Sequence, residues 1–133
     1  MSPQEHVGVV QALYEAFGRG DVAAIQERLA DDVDWAVEAE STTAPWFGPR
    51  SGKDGAASFF AELGQNIEVS DFRPHSFATG ENDVHCLVDW TFRSRSTDRE
   101  ATMTMHHYWR FRDGKIAYFR GSEDTEQTAK LFG

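Results

Sequence analysis

Cysteine occurs once in the 133 residues, at Cys86, so no internal disulfide can form and the stapled scaffolds of small secreted domains are excluded. A reducing compartment is expected. Long hydrophobic runs are also missing. No stretch approaches the roughly 20 apolar residues a bilayer span needs, and the opening Met-Ser-Pro-Gln-Glu-His has neither the basic start nor the apolar core of a signal peptide. The expectation is a soluble, cytoplasmic protein without membrane attachment. Positive charge is scarce as well: 13 Lys plus Arg stand against 22 Asp plus Glu, a formal charge of −9. Such a surface repels phosphate backbones, so nucleic acid is not an expected partner. Repeats and low-complexity tracts are absent. What the chain does have is aromatic mass, four Trp, three Tyr and ten Phe, enough to fill a core or line a pocket. A single domain over residues 1–133 buries about two-thirds of its unfolded surface.

Ser2, Pro3 and Glu5 read as an N-cap, a first-turn proline and the return arm of a capping box. Val10, Leu13, Tyr14 and Phe17 then fall on one helical stripe, which Gly18 and Gly20 end. Asp21 caps a second short helix carrying Val22, Ile25 and Leu29. After Asp31-Asp32 the period changes to two: Val33, Trp35 and Val37 alternate with polar or small residues, a strand. Residues 41–55, rich in Gly and Pro, read as a loop with an apolar centre at Trp46-Phe47, and this pair is expected to close the mouth of a pocket. Ala56, Phe59, Phe60 and Leu63 give a third helix. Strands follow over 67–79, 84–95, 100–112 and 115–122, joined by short turns at Gly80-Glu-Asn-Asp, Ser96-Thr-Asp and Asp113-Gly114 that imply antiparallel hairpins. The order α-α-β-α-β-β-β-β predicts an α+β domain with helices covering one face of a curved sheet.

This order, with Gly20-Asp21, Asp31-Asp32-Val33, Trp46-Phe47-Gly48, Gly52-Lys53-Asp54 and Phe111-Arg-Asp-Gly-Lys-Ile116 at their spacings, resembles the SnoaL-like branch of the nuclear transport factor 2-like superfamily. The resemblance covers nearly the whole chain. It implies a cone, a bent antiparallel sheet wrapped round three helices and open at one end into an apolar pocket. It also implies a homodimer through the sheet's outer face, where Tyr108 and Tyr118 stand opposite the core row. The fold hosts cyclases, isomerases, epoxide hydrolases, dehydratases and non-catalytic binders, so the site has to decide the function.

Two reaction templates of the superfamily do not carry over. A ketosteroid isomerase needs a Tyr, a protonated Asp and a carboxylate base; the resemblance puts Leu13, His107 and Val37 in those places, with Tyr14 one residue further round the helix. A limonene epoxide hydrolase site would fall on Trp35, Val37, Leu87, Asp89 and Gly121, and only Asp89 matches in kind. The remaining candidate is the row Met103, Met105, His107, Trp109 and Phe111, which shares one strand face. His107, alone among apolar neighbours, suits general acid or base work, and apolar surroundings tend to lower its pKa. A histidine on such a face also fits a structural role, bonded to a backbone carbonyl. Glu123 is brought to the pocket wall by the family pattern and is a possible partner. Asp89 is a second candidate: the apolar row Cys86, Val88, Trp90 and Phe92 turns it outward, whereas the epoxide-hydrolase match turns it inward.

His106 and His107, adjacent on a strand, face opposite sides and cannot chelate one ion, so neither a metal nor another cofactor is expected. The expectation is a cofactor-independent enzyme for a small, largely apolar carbonyl compound. His107 would move the proton or hold the oxyanion, Glu123 or Asp89 would assist, and Tyr14, Trp35, Trp46, Phe60, Trp90, Met103, Met105 and Trp109 would bind the substrate. The alternative is a ligand-binding or dimeric interaction domain without turnover. An open cavity of about 300 Å3 or more with His107 and a carboxylate at its floor would favour the enzyme, and a filled cone the binder.

Overall fold

The capping signals at the amino terminus act as the sequence implies. In the computed structural model, which describes residues 1–132, Ser2 Oγ accepts from Glu5 N at 3.1 Å and Ser2 N donates to Glu5 Oε1 at 3.2 Å, opening α1 (Pro3–Arg19). Gly20, at φ +70°, supplies the left-handed residue that ends it. Asp21 accepts from Ala24 N at 3.1 Å and starts α2 (Val22–Glu27). Then come β1 (Leu29–Val37), β2 (Gly48–Ser51), α3 (Gly52–Asn66), β3 (Ile67–Thr79), β4 (Asp83–Ser94), β5 (Glu100–Arg112), β6 (Lys115–Ser122) and α4 (Thr125–Phe132).

The six strands form one sheet in the order β2-β1-β6-β5-β4-β3. From β3 to β6 it is an antiparallel meander, and the last hairpin turns at Asp113 and Gly114 with both φ values positive, the geometry that Asp-Gly favours. β3, at the edge, is bulged between Val69 and Asp71 and between His75 and Ala78, which bends the strand and raises its twist. α1 and α3 pack against the concave face, where Val84, Val88, Trp90, Phe92, Trp109, Phe111, Ile116 and Phe119 are buried, and α2 packs against both of these helices. The expected α+β cone is thus present.

Four features differ from the sequence expectation. β1 begins at Leu29 rather than Val33, because Leu29 N-terminal to the alternating stretch already pairs with Ile116. β1 lies parallel to β6, which no turn signal could reveal since the two are joined through the rest of the domain. Within the 41–55 loop, β2 pairs with β1, setting Arg50 opposite Trp35 and Gly48 opposite Val37. Past Glu123, Asp124 accepts from Gln127 N at 3.1 Å and starts α4, a helix too short to show a clear period. It buries Thr128 and Leu131, and its final carbonyls accept from Thr97 Oγ1 at 2.6 Å and Arg99 Nη1 at 2.8 Å.

Trp46 is not a lid. It is fully buried, in edge contact with Phe47, Phe92 and Phe132 at ring-centroid distances of 5.7, 6.2 and 5.6 Å, two of these partners coming from β4 and α4. The Gly- and Pro-rich loop carries a core anchor, because pairing of β2 with β1 pulls it onto the sheet. Trp46→Ala should therefore lower stability by about 3–5 kcal/mol, the usual cost of truncating a buried aromatic, measured by chemical denaturation; a loss under 1 kcal/mol would return Trp46 to the role of a mobile cover.

Candidate functional site

The meander and the parallel β1–β6 pairing align residues of four strands into cross-sheet rungs. One rung runs Trp35 (β1), Phe119 (β6), Trp109 (β5), Val84 (β4); the next inward-facing rung runs Val37, Gly121, His107, Cys86. Gly121 sits between Val37 and His107, where a side chain would be crowded. A Cβ there would lie 3.1 Å from Phe119 Cζ, 3.2 Å from Val37 Cγ2 and 3.5 Å from His107 Cδ2. The close neighbours are Phe119 and Val37, with the imidazole at ordinary contact distance.

From the helical side, α1 lowers Tyr14 onto this rung. The Tyr14 hydroxyl lies 2.7 Å from His107 Nδ1 and 3.0 Å from Cys86 Sγ. His107 is 8% exposed, and burial, with a smaller push from His106, lowers its pKa to about 3. It is a neutral imidazole at physiological pH, not the imidazolium acid that an ordinary histidine supplies. Burial first, then Cys86, raises the Tyr14 phenol far above its ordinary range, and burial also raises the Cys86 thiol. Three neutral groups therefore share protons in a chain. With Cys86 S–H donating to Tyr14 and Tyr14 O–H donating to Nδ1, His107 Nε2 carries its hydrogen; in the reversed chain Nε2 is an acceptor.

Two residues beyond Gly121, Glu123 lines the same cavity. Its Oε1 accepts from Trp46 Nε1 at 3.3 Å and its Oε2 from Thr128 Oγ1 of α4. Burial raises its pKa, and these two hydrogen bonds only partly offset that. Between Glu123 and the Tyr14–His107 pair lies a cavity of about 50 Å3, walled by Trp35, Trp46, Phe60, Trp90, Met105 and Trp109 together with Leu13, Phe17, Val37, Phe59, Leu63, Phe72 and Phe119. This is well under the roughly 300 Å3 at which ligand sites usually begin, so aromatic side chains fill most of the cone. A groove of about 790 Å3 between α1 and β3 shares Tyr14, Phe17 and Phe72 with the inner cavity. Phe17 and Phe72 pack at 5.0 Å and Tyr14 and Phe72 at 5.6 Å, so these three rings stand between the cavity and that groove.

The remaining candidates lie elsewhere. Asp89 is on the outer face of β4, where its Oδ1 accepts from Thr104 Oγ1 at 2.8 Å and stands 3.1 Å from His75 Nε2. His75 and Thr104 hold its carboxyl below the usual range. The even-numbered apolar row of β4 claims the concave face and leaves Asp89 outside, so it does not join His107. Met103 faces inward but is not in the cavity wall; its Sδ lies 4.0 Å from Thr128 Oγ1, beneath α4. Sequence reasoning placed Tyr14 in the wall and missed its bond to His107, along with Cys86, Gly121 and the lining residues Phe17 and Phe72. The one available signal was Tyr14 on the same helical stripe as Leu13 and Phe17.

A family model described as the SnoaL-like domain matches residues 10–119. An NTF2-like protein from Burkholderia xenovorans LB400 is similar in structure with a TM-score of 0.90 and 26% identity, over 100% of this chain and 99% of that one. An NTF2-like protein of unknown function from Burkholderia pseudomallei K96243 gives 0.89 and 26%, over 99% and 98%. TerC, crystallised with polyporic acid, gives 0.81 and 22%, over 96% and 98%, and at that identity shares the fold alone. No curated protein matches the sequence.

The His107 geometry sets a pH dependence. A group whose folded pKa is depressed, about 3 against 6.5 unfolded, contributes stability that is complete above the unfolded value and is lost as pH falls toward 3. His107→Leu should remove that window from the pH–stability curve, a contribution on the order of 5 kcal/mol lost mostly between pH 6.5 and 3. At pH 7 it should change stability by less than about 2 kcal/mol, since Tyr14 keeps its contact with Cys86. Thermal unfolding of the variant and the parent across this range reads both; identical pH profiles would mean that His107 is not buried neutral.

Proposed function

The chain belongs to the SnoaL-like domain family, and on that premise we propose that it is a cofactor-independent enzyme that moves a proton on a small, flat, largely apolar carbonyl compound. The observation that carries this reading is that a neutral imidazole and a carboxyl of raised pKa face one apolar cavity. Glu123 is the proton acceptor. Its raised pKa makes it a stronger base than an exposed carboxylate while it remains able to ionise. His107, held by Tyr14, donates Nε2–H to the carbonyl oxygen as negative charge develops there. A neutral donor in a dry site suits an enolate-like oxyanion because it needs no reorganisation during the step. Tyr14 is a positioning residue that fixes the ring and its tautomer. The indole N–H groups of Trp35 and Trp90 are buried near the cavity with no hydrogen-bond partner among the described residues, which favours a substrate with more than one acceptor oxygen.

The cavity volume of about 50 Å3 favours a second reading, a binding domain of the same fold without turnover. On the enzymatic reading, substrate has to displace Phe72 from Phe17 and Tyr14, and bulged β3 is the element able to yield.

Deuterium exchange at the α-carbon of 2-tetralone, followed by proton NMR in D2O, separates the two. The parent protein should accelerate exchange over buffer, with a rate that rises with pH as Glu123 ionises. Glu123→Gln should lose about 100-fold or more of that acceleration and His107→Leu a comparable factor. No acceleration by the parent, or full activity in Glu123→Gln, would favour the binder.

A further inference from the structure

On the convex face of the sheet, a second histidine cluster has no part in the cavity. His85 on β4 and His106 on β5 are diagonal neighbours in the β4–β5 register, where His85 faces Tyr108 and Leu87 faces His106. His85 Nδ1 and His106 Nε2 approach to 3.2 Å, their rings 21° from parallel and 5.3 Å apart. As they stand, the two nitrogens share one proton in an N–H···N bond. Two imidazole nitrogens on a tetrahedral zinc ion, each about 2.0–2.1 Å from the metal, are about 3.3 Å apart. The pair is therefore pre-set at the bite of a divalent ion, and zinc takes the place of the shared hydrogen after the donor ring moves its N–H to its other nitrogen. No net proton is released.

Among the described residues, no group of three or more His, Cys, Asp or Glu side chains is placed to hold a metal, so one chain supplies two of four ligands. We propose that this face binds zinc between two copies of the chain, His85 and His106 of each completing a tetrahedral four-nitrogen site on a two-fold axis. The face suits a second copy in two further respects. Leu87, beside the pair, is 37% exposed, a rare exposed large apolar residue. Along the same face stand charges of both signs, Asp89 with Arg73 opposite it on β3 and, beyond His85, Asp83 with Arg110 opposite it on β5, which a two-fold axis can set against each other. The proposal is independent of the cavity and of any activity.

Isothermal titration of the full chain with zinc chloride, paired with sedimentation, tests it. The expected result is one zinc per two chains, with binding abolished in both His85→Ala and His106→Ala and kept in His75→Ala, whose ring lies across Leu87 on β3. A species of twice the chain mass should form with zinc and dissolve with a chelator. If the parent is already a dimer without metal, the stoichiometry and the two variants still decide. One zinc per chain, no saturable binding, or unchanged binding in His106→Ala would overturn the proposal. His106 is exposed, so its substitution does not put folding at risk.

Discussion

The stack of Trp35, Phe119 and Trp109 across β1, β6 and β5 is the constraint on which the rest depends. Trp35 and Phe119 lie 4.2 Å apart and Trp109 and Phe119 4.4 Å, with the indoles edge-on to each other at 5.8 Å. Three large rings fit on the concave face in one register only, since a slip of one residue turns every side chain of a strand to the other face. Fixing that rung fixes the next, and the next is Val37, Gly121, His107 and Cys86. The chemistry of the cavity is thus set by an aromatic packing problem solved one step away from it.

Charge is distributed by the same alternation. On the concave face, Tyr14, Cys86 and His107 are polar but uncharged, because burial moves each pKa away from the ionised form. On the convex face, Arg120 pairs with Asp34 at 2.9 Å and Glu38 at 2.6 Å, and Arg110 and Arg120 lie over the Tyr118 ring at 4.4 and 4.1 Å. Tyr118 and Tyr108 suggest an apolar outer surface when read from sequence. In the fold, their rings are flanked by guanidinium groups, and the Tyr108 hydroxyl donates to Asp83 at 3.0 Å.

Local signals were legible in the sequence and long-range ones were not. The capping box at Ser2, the glycine stop at Gly20, the Asp113-Gly114 turn and the period-two rows of β4 and β5 each lie within a few residues of their cause. The same periodicity that puts His107 inside puts Asp89 outside. What stayed hidden depends on pairs far apart in the chain. Tyr14 meets His107 through a helix-to-sheet contact, Gly121 is crowded by Val37 across the β1–β6 pairing as well as by Phe119, and His85 meets His106 only once the β4–β5 register is known. Residues 41–55 misled for a related reason. Their Gly and Pro content describes the chain's turns, whereas the burial of Trp46 follows from the pairing of β2 with β1 and from the cover that Phe92 and α4 provide.

The parallel join of β1 to β6 has a bearing on the time course of folding. The hairpins from β3 to β6 close over short loops, but Trp35 and Phe119 stand 84 positions apart, and no local turn brings them together. Loop-closure entropy for so distant a pair is paid before its contacts return anything, and chains dominated by such pairings fold slowly. The meander can assemble with its β6 edge still unpaired. Until β1 arrives, Phe119, Trp109 and the strip along β6 present an unpaired edge beside exposed aromatic rings, the kind of surface that other chains recognise. The residues that make the finished cavity dry are the ones most in need of protection while the chain is being made.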